Sequence, residues 1–141
     1  LSLASEYANI DLVDAIAESC LRFAGFEDSV IEHLALAIRE AAANAIQHGN
    51  AQDSGKTAEV VFDLTEDCIE IRIRDQGEGF DPASLPDPLA PDNILKGTGR
   101  GIFLMRQLMD EVEFGFDGGM EVTMRKRLPD GNGAGSGEEE E

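Results

Sequence analysis

Glu40, Asn44 and His48 follow one another at four-residue spacing in the alanine-rich run "REAAANAIQHGN", residues 39–50. On a helix each would sit one turn above the last and about 40° further round, so the three polar groups form a ridge. A carboxylate in such a ridge can take a proton from an attacking hydroxyl or water. A carboxamide oxygen one turn on can ligate Mg²⁺, an ion that keeps several waters and accepts few protein ligands. Ala41 and Ala43 add no bulk between them, which would let a phosphate chain approach the helix surface. The same residue types also furnish an ordinary solvated helix face, so the ridge alone leaves both readings open.

Two further segments carry chemistry. In "DQGEGF", residues 75–80, Asp75 stands where an alternating strand runs out and is followed by Gly77 and Gly79. That arrangement lets a flat ring approach the backbone while the carboxylate accepts from an exocyclic amine, though a tight turn would use the same glycines. In "KGTGRG", residues 96–101, Gly97, Gly99 and Gly101 open a helix, with Lys96, Thr98 and Arg100 between them. Free N–H groups at a helix start attract phosphate oxygens, and the two cations reinforce this in an acidic chain; a hinge is the competing reading. "GKT" at 55–57 is not a P-loop, because Asn50 stands where the first glycine is required and the tripeptide follows a helix and precedes a strand. "GTGRGIF" lacks the dinucleotide spacing and follows a loop.

The elements that must position these groups can be read from periodicity. "LSLASEY" alternates like a short edge strand. The next stretch predicts a helix with Leu12, Ile16 and Leu21/Phe23 as its apolar side, stopping at Gly25. A second helix should run from the acidic "EDS" to Gly49, burying Ile31, Leu34, Ala35, Ile38, Ala42, Ala45 and Ile46 and leaving His33 outside. Residues 58–77 alternate on both sides of "TED" and predict an antiparallel hairpin ending at Asp75. Residues 78–101 hold Pro82, Pro86, Pro88 and Pro91 and predict a long surface loop of the kind that serves as a lid, over 81–98. A third helix through Ile102, Met105 and Met109 follows, its methionines read as core filler, and then two strands joined by "DGG".

Bulk properties narrow the function. A chain of 141 residues fits one domain, here residues 1–128, with 129–141 as a flexible acidic tail. Twenty-nine acidic against 11 basic residues give −18, and removing residues 128–141 still leaves −13. Such a surface repels a phosphate backbone, so direct nucleic-acid binding is not expected. No apolar run approaches a membrane span. Cys20 and Cys68 show neither metal spacing nor a disulfide framework, which suits a reducing cytoplasm. The start at Leu1 and the linker-like "GNGAGSG" favour a piece of a longer polypeptide.

With the three segments in this order, the sequence resembles the GHKL ATPases (gyrase, heat-shock chaperone, histidine kinase and MutL), which share the Bergerat nucleotide-binding fold. Within them it looks most like the bacterial anti-sigma factor serine kinases. "EAAANAIQHG" resembles their N-box, "RDQGEGFDP" the first glycine box and "GTGRGIFLMRQLMDEVEF" the second, and the likeness runs from about residue 4 to 128. The resemblance implies an α+β two-layer sandwich, a mixed, largely antiparallel sheet with helices packed on one face. It implies Glu40 as catalytic base, Asn44 as Mg²⁺ ligand and Asp75 as the adenine-recognising aspartate, with Gly77 and Gly79 bordering the base. Gly97, Gly99 and Gly101 would line the phosphates of ATP, joined by Lys96 and Thr98, and Arg100 would stabilise the transferring phosphoryl group. His48 is a further candidate nucleotide contact. The implied activity is an ATP-dependent serine/threonine kinase that phosphorylates a STAS-type anti-anti-sigma protein, binds a sigma factor in competition with it and forms a homodimer. The alternative is a nucleotide-binding sequestering or regulatory module without kinase activity.

Overall fold

Isoleucine at every second position of residues 69–73 determines how the sheet faces its core. The structure, a computed structural model, describes residues 1–49, 55–77 and 98–129. Strand β2 (Thr57–Leu64) pairs antiparallel with β3 (Cys68–Arg74), from Glu59 opposite Arg74 to Leu64 opposite Ile69. Ile69, Ile71 and Ile73 are at most 1% exposed, while Glu70, Arg72 and Arg74 alternate with them on the other face. β-branched side chains suit this half-buried pleat.

Strands β4 (Glu111–Phe116) and β5 (Met120–Arg127) form the second hairpin, and β5 docks on the free side of β3, Met124 opposite Ile71 and Val122 opposite Ile73. The short β1 (Ser2–Ala4) covers the outer edge of β2. The order is β1-β2-β3-β5-β4, antiparallel at all four pairings.

Three helices cover the isoleucine face: α1 (Ala8–Phe23), α2 (Asp28–Asn44) and α3 (Thr98–Leu108), with α2 in the middle, touching both neighbours. α1 buries Ile10, Val13, Ala17 and Leu21; of the expected side Leu21 is buried and Ile16 half-buried, whereas Leu12 is 44% and Phe23 84% exposed. The small Ala17 decides this, because an alanine lets helices approach closely and a stripe weighted by bulky residues overlooks it. α1 stops as expected: Gly25 has φ of 98°, its N–H donates to the Arg22 carbonyl, and Phe26 N–H donates to the Leu21 carbonyl. That pair of bonds is a Schellman cap.

On α2 the whole expected stripe is buried, and so are Ala37 and Ala41, since a helix flanked on both sides and seated on a sheet buries a wider arc. Ala41 therefore belongs to the core rather than to an open floor beside Glu40. Met105 and Met109 are core residues, and His33 is exposed, its Nδ1 2.8 Å from the Ser29 carbonyl. Among the described residues no helix is long and apolar enough to cross a membrane. Of the expected loop over 78–101, residues 78–97 lie outside the described residues and 98–101 begin α3, while of the expected tail over 129–141 residues 130–141 lie outside them.

Candidate functional site

Glu40 and Asn44 lie one turn apart on α2, both half-buried, on the side that α3 covers. The contact is made at Gly101, in the first turns of α3: a Cβ added there would stand 3.0 Å from Glu40 Oε1 and 3.5 Å from Asn44 Nδ2. Neither polar side chain makes a hydrogen bond or ion pair among the described residues. Among the described residues the hydrogen-bonding capacity of this carboxylate and carboxamide is unspent, which leaves both open to a ligand.

The α-helical ladder ends at Asn44. Ala45–Gly49 continues as a π-turn, a wider i→i+5 helix that is rare and recurs at functional sites. The His48 side chain lies outside the described residues.

Asp75 follows the last residue of β3 and is 5% exposed. Its Oδ1 accepts from Gly77 N–H at 2.8 Å and from Met120 N–H at 3.0 Å. Its own N–H donates to the Met120 carbonyl at 2.9 Å. Asp75 Oδ2 makes no hydrogen bond among the described residues, so a buried carboxylate is fixed through one oxygen and keeps the other for a donor from elsewhere. Gln76 Oε1 accepts from Thr57 N–H at 2.8 Å and fastens this corner to the start of β2. Because α2 leads through the π-turn and a short connection into β2, Asp75 and the Glu40–Asn44 pair sit at the same end of the helix–sheet sandwich.

The turn between β4 and β5 forms the floor under Asp75, a role that "DGG" does not advertise. A Cβ on Gly119 would fall 2.0 Å from the Asp75 carbonyl oxygen and 3.4 Å from Gln76 Cα, so only glycine fits against that backbone. Gly118, with φ of 70°, makes the reversal itself, and Arg74 Nη2 donates to the Asp117 carbonyl across it. The available signal was a second glycine where the reversal requires only one.

Thus Glu40, Asn44 and Gly101 meet in one place, and Asp75 and Gly77 in another at the same end. Thr98, Gly99 and Arg100 form the first turn of α3, their side chains outside the described residues, as are Gly79, Lys96 and Gly97 altogether. Among the described residues no cluster of three His, Cys, Asp or Glu is placed to hold a metal. An ion carried mainly by phosphate oxygens and water needs no such cluster, and the Asn44 amide, unpaired among the described residues, fits the single protein ligand it would take.

Residues 3–126 match the family described as Histidine kinase-like ATPase domain. The chain is 38% identical over 110 residues to the protein named Serine-protein kinase RsbW of Bacillus cereus (strain AH187), covering 74% of this chain and 68% of that one. It is 38% identical over 111 residues to the protein of the same name from Bacillus licheniformis, covering 74% and 69%. Among solved structures it is similar to the histidine kinase domain from the Erythrobacter litoralis EL346 blue-light activated histidine kinase, with a TM-score of 0.55 at 15% identity. That match covers 84% of this chain and 60% of the other, and it establishes the fold as the two-layer sandwich expected from the sequence.

Proposed function

The chain belongs to the histidine kinase-like ATPase domain family, and from that premise we propose that it is an ATP-dependent serine/threonine kinase of the anti-sigma type. Its substrate in this reading is a hydroxyl of a STAS-type partner, and its second partner is a sigma factor, bound by a cytoplasmic homodimer. The observation that carries the reading is the Glu40 carboxylate, one turn before Asn44 and beneath the first turns of α3, with neither side chain paired among the described residues. The relatives named serine-protein kinases support the choice of acceptor.

The adenine amine donates to Asp75 Oδ2, while Gly77 N–H and Met120 N–H hold the other oxygen and keep the carboxylate aimed. Asn44 would offer its amide oxygen to Mg²⁺, and the ion would supply neutralisation of the phosphate charge. Glu40 accepts the proton of the partner's hydroxyl as that oxygen bonds to the γ-phosphorus; the bond to the bridging oxygen breaks and ADP leaves. Positioning and charge stabilisation supply most of the rate in phosphoryl transfer, so few side chains suffice.

The test is to mix the protein with Mg-ATP labelled in the γ-phosphate and its cognate STAS partner. Label should move to a serine or threonine of the partner, and Glu40→Gln should slow the transfer by about 10²-fold or more. Equal rates would refute the base assignment. ATP binding without transfer would leave the sequestering module as the better reading.

A further inference from the structure

Gly101 is buried within a helix, and glycine is a poor choice there, because alanine has the higher helix propensity. Its backbone is not among those of positive φ, so conformational freedom does not explain it. Space does. A Cβ at this position would stand 3.0 Å from Glu40 Oε1, closer than carbon and carboxylate oxygen normally approach, yet 3.6 Å from Glu40 Cβ and 3.5 Å from Asn44 Nδ2, which are ordinary contacts. Among the described residues the obstacle is the tip of the Glu40 side chain.

We propose that Gly101 is a positioning residue for Glu40: the missing side chain leaves the place in which the carboxylate rests, so the docking of α3 on α2 sets where the proton acceptor stands. This rests on the kinase reading above and assigns Gly101 a task other than lining phosphate. The Glu40 tip has no partner to hold it among the described residues, so an added methyl displaces the carboxylate and leaves the helices in place. Gly119 provides the contrast, because there the obstacle is backbone at 2.0 Å and cannot swing aside.

The test compares Gly101→Ala, Glu40→Gln and the double variant in melting temperature, ATP affinity and transfer rate at saturating ATP. It also follows the Glu40 carboxyl-carbon resonance in wild type and Gly101→Ala. Gly101→Ala should melt no lower than wild type, since propensity favours alanine, and should bind ATP within about threefold of it. Its transfer rate should fall about tenfold or more, with no further loss when Glu40 is already Gln, and the Glu40 resonance should move. The proposal is overturned by a wild-type rate, by the same loss in the Glu40→Gln background, by an ATP affinity that falls in step with the rate, or by unfolding of the variant. A wild-type protein that transfers no phosphate would instead refute the kinase reading. The positioning contact would then be decided by the carboxyl resonance alone: movement supports it, and a resonance that stays in place overturns it.

Discussion

Replacing Gly119 by alanine should damage stability and nucleotide binding together, although Gly119 donates no side chain to the site. The added Cβ would lie 2.0 Å from the Asp75 carbonyl oxygen and 3.0 Å from the carbonyl carbon, so β3 and the β4–β5 turn must separate by about 1 Å or more to restore ordinary contact. Separation opens two of the bonds between these segments, Met120 N–H to Asp75 Oδ1 at 3.0 Å and Asp75 N–H to the Met120 carbonyl at 2.9 Å. One bond has a charged acceptor and the other a neutral one, so their joint loss costs about 3 kcal/mol. For a domain of this size that corresponds to a fall in melting temperature of roughly 12 °C. Thermal and urea denaturation measure the stability loss, and titration with Mg-ATP below the transition measures the site. Because the displaced carboxylate no longer presents Oδ2 in its place, affinity should fall about tenfold or more in the folded variant. A variant that melts within a few degrees of wild type and binds ATP normally would refute the claim that this turn supports Asp75.

Three other outcomes follow from the same geometry. Asp75→Asn keeps an oxygen for Gly77 and Met120 but loses the charge proposed to face the adenine amine, which should weaken ATP by about 2 kcal/mol, or roughly 30-fold, in an equilibrium titration. Asn44→Ala should bind ATP with an affinity that hardly changes between magnesium and chelator, whereas wild type should bind tighter with the metal; an unchanged magnesium dependence would remove Asn44 as the ligand. Ile71→Ala, at a position with 0% exposure between β2 and β5, should lose about 3 kcal/mol in urea denaturation.

How far the sequence discloses all this depends on the distance over which each feature is determined. The β2–β3 hairpin is legible because burial of one face forces alternation onto Ile69, Ile71 and Ile73. The Gly25 stop is legible because its two hydrogen bonds are local. On α1 bulk favours Leu12, Ile16 and Leu21/Phe23, whereas the actual seam keeps Leu21 and runs through Ala17, whose value lies in a neighbouring helix. The π-turn after Asn44 leaves no mark in "AIQHG", since a shift of hydrogen-bond partner changes no residue type. Glu40, Asn44 and Asp75 are conspicuous as polar groups at defined places in otherwise apolar patterns. Their neighbours Gly101 and Gly119 are not, because each has a sufficient local explanation and a decisive contact far away along the chain.

The central claim is that this end of the sandwich holds a magnesium adenine nucleotide, with the base on Asp75 and the phosphates over Glu40 and Asn44. Calorimetric titration of the purified chain with Mg-ATP tests it most directly. Saturable heat from one site per chain is expected, absent with Mg-GTP and strongly reduced by Asp75→Asn. No heat with ATP or ADP at millimolar concentration and excess magnesium, from protein shown to be folded, would contradict it.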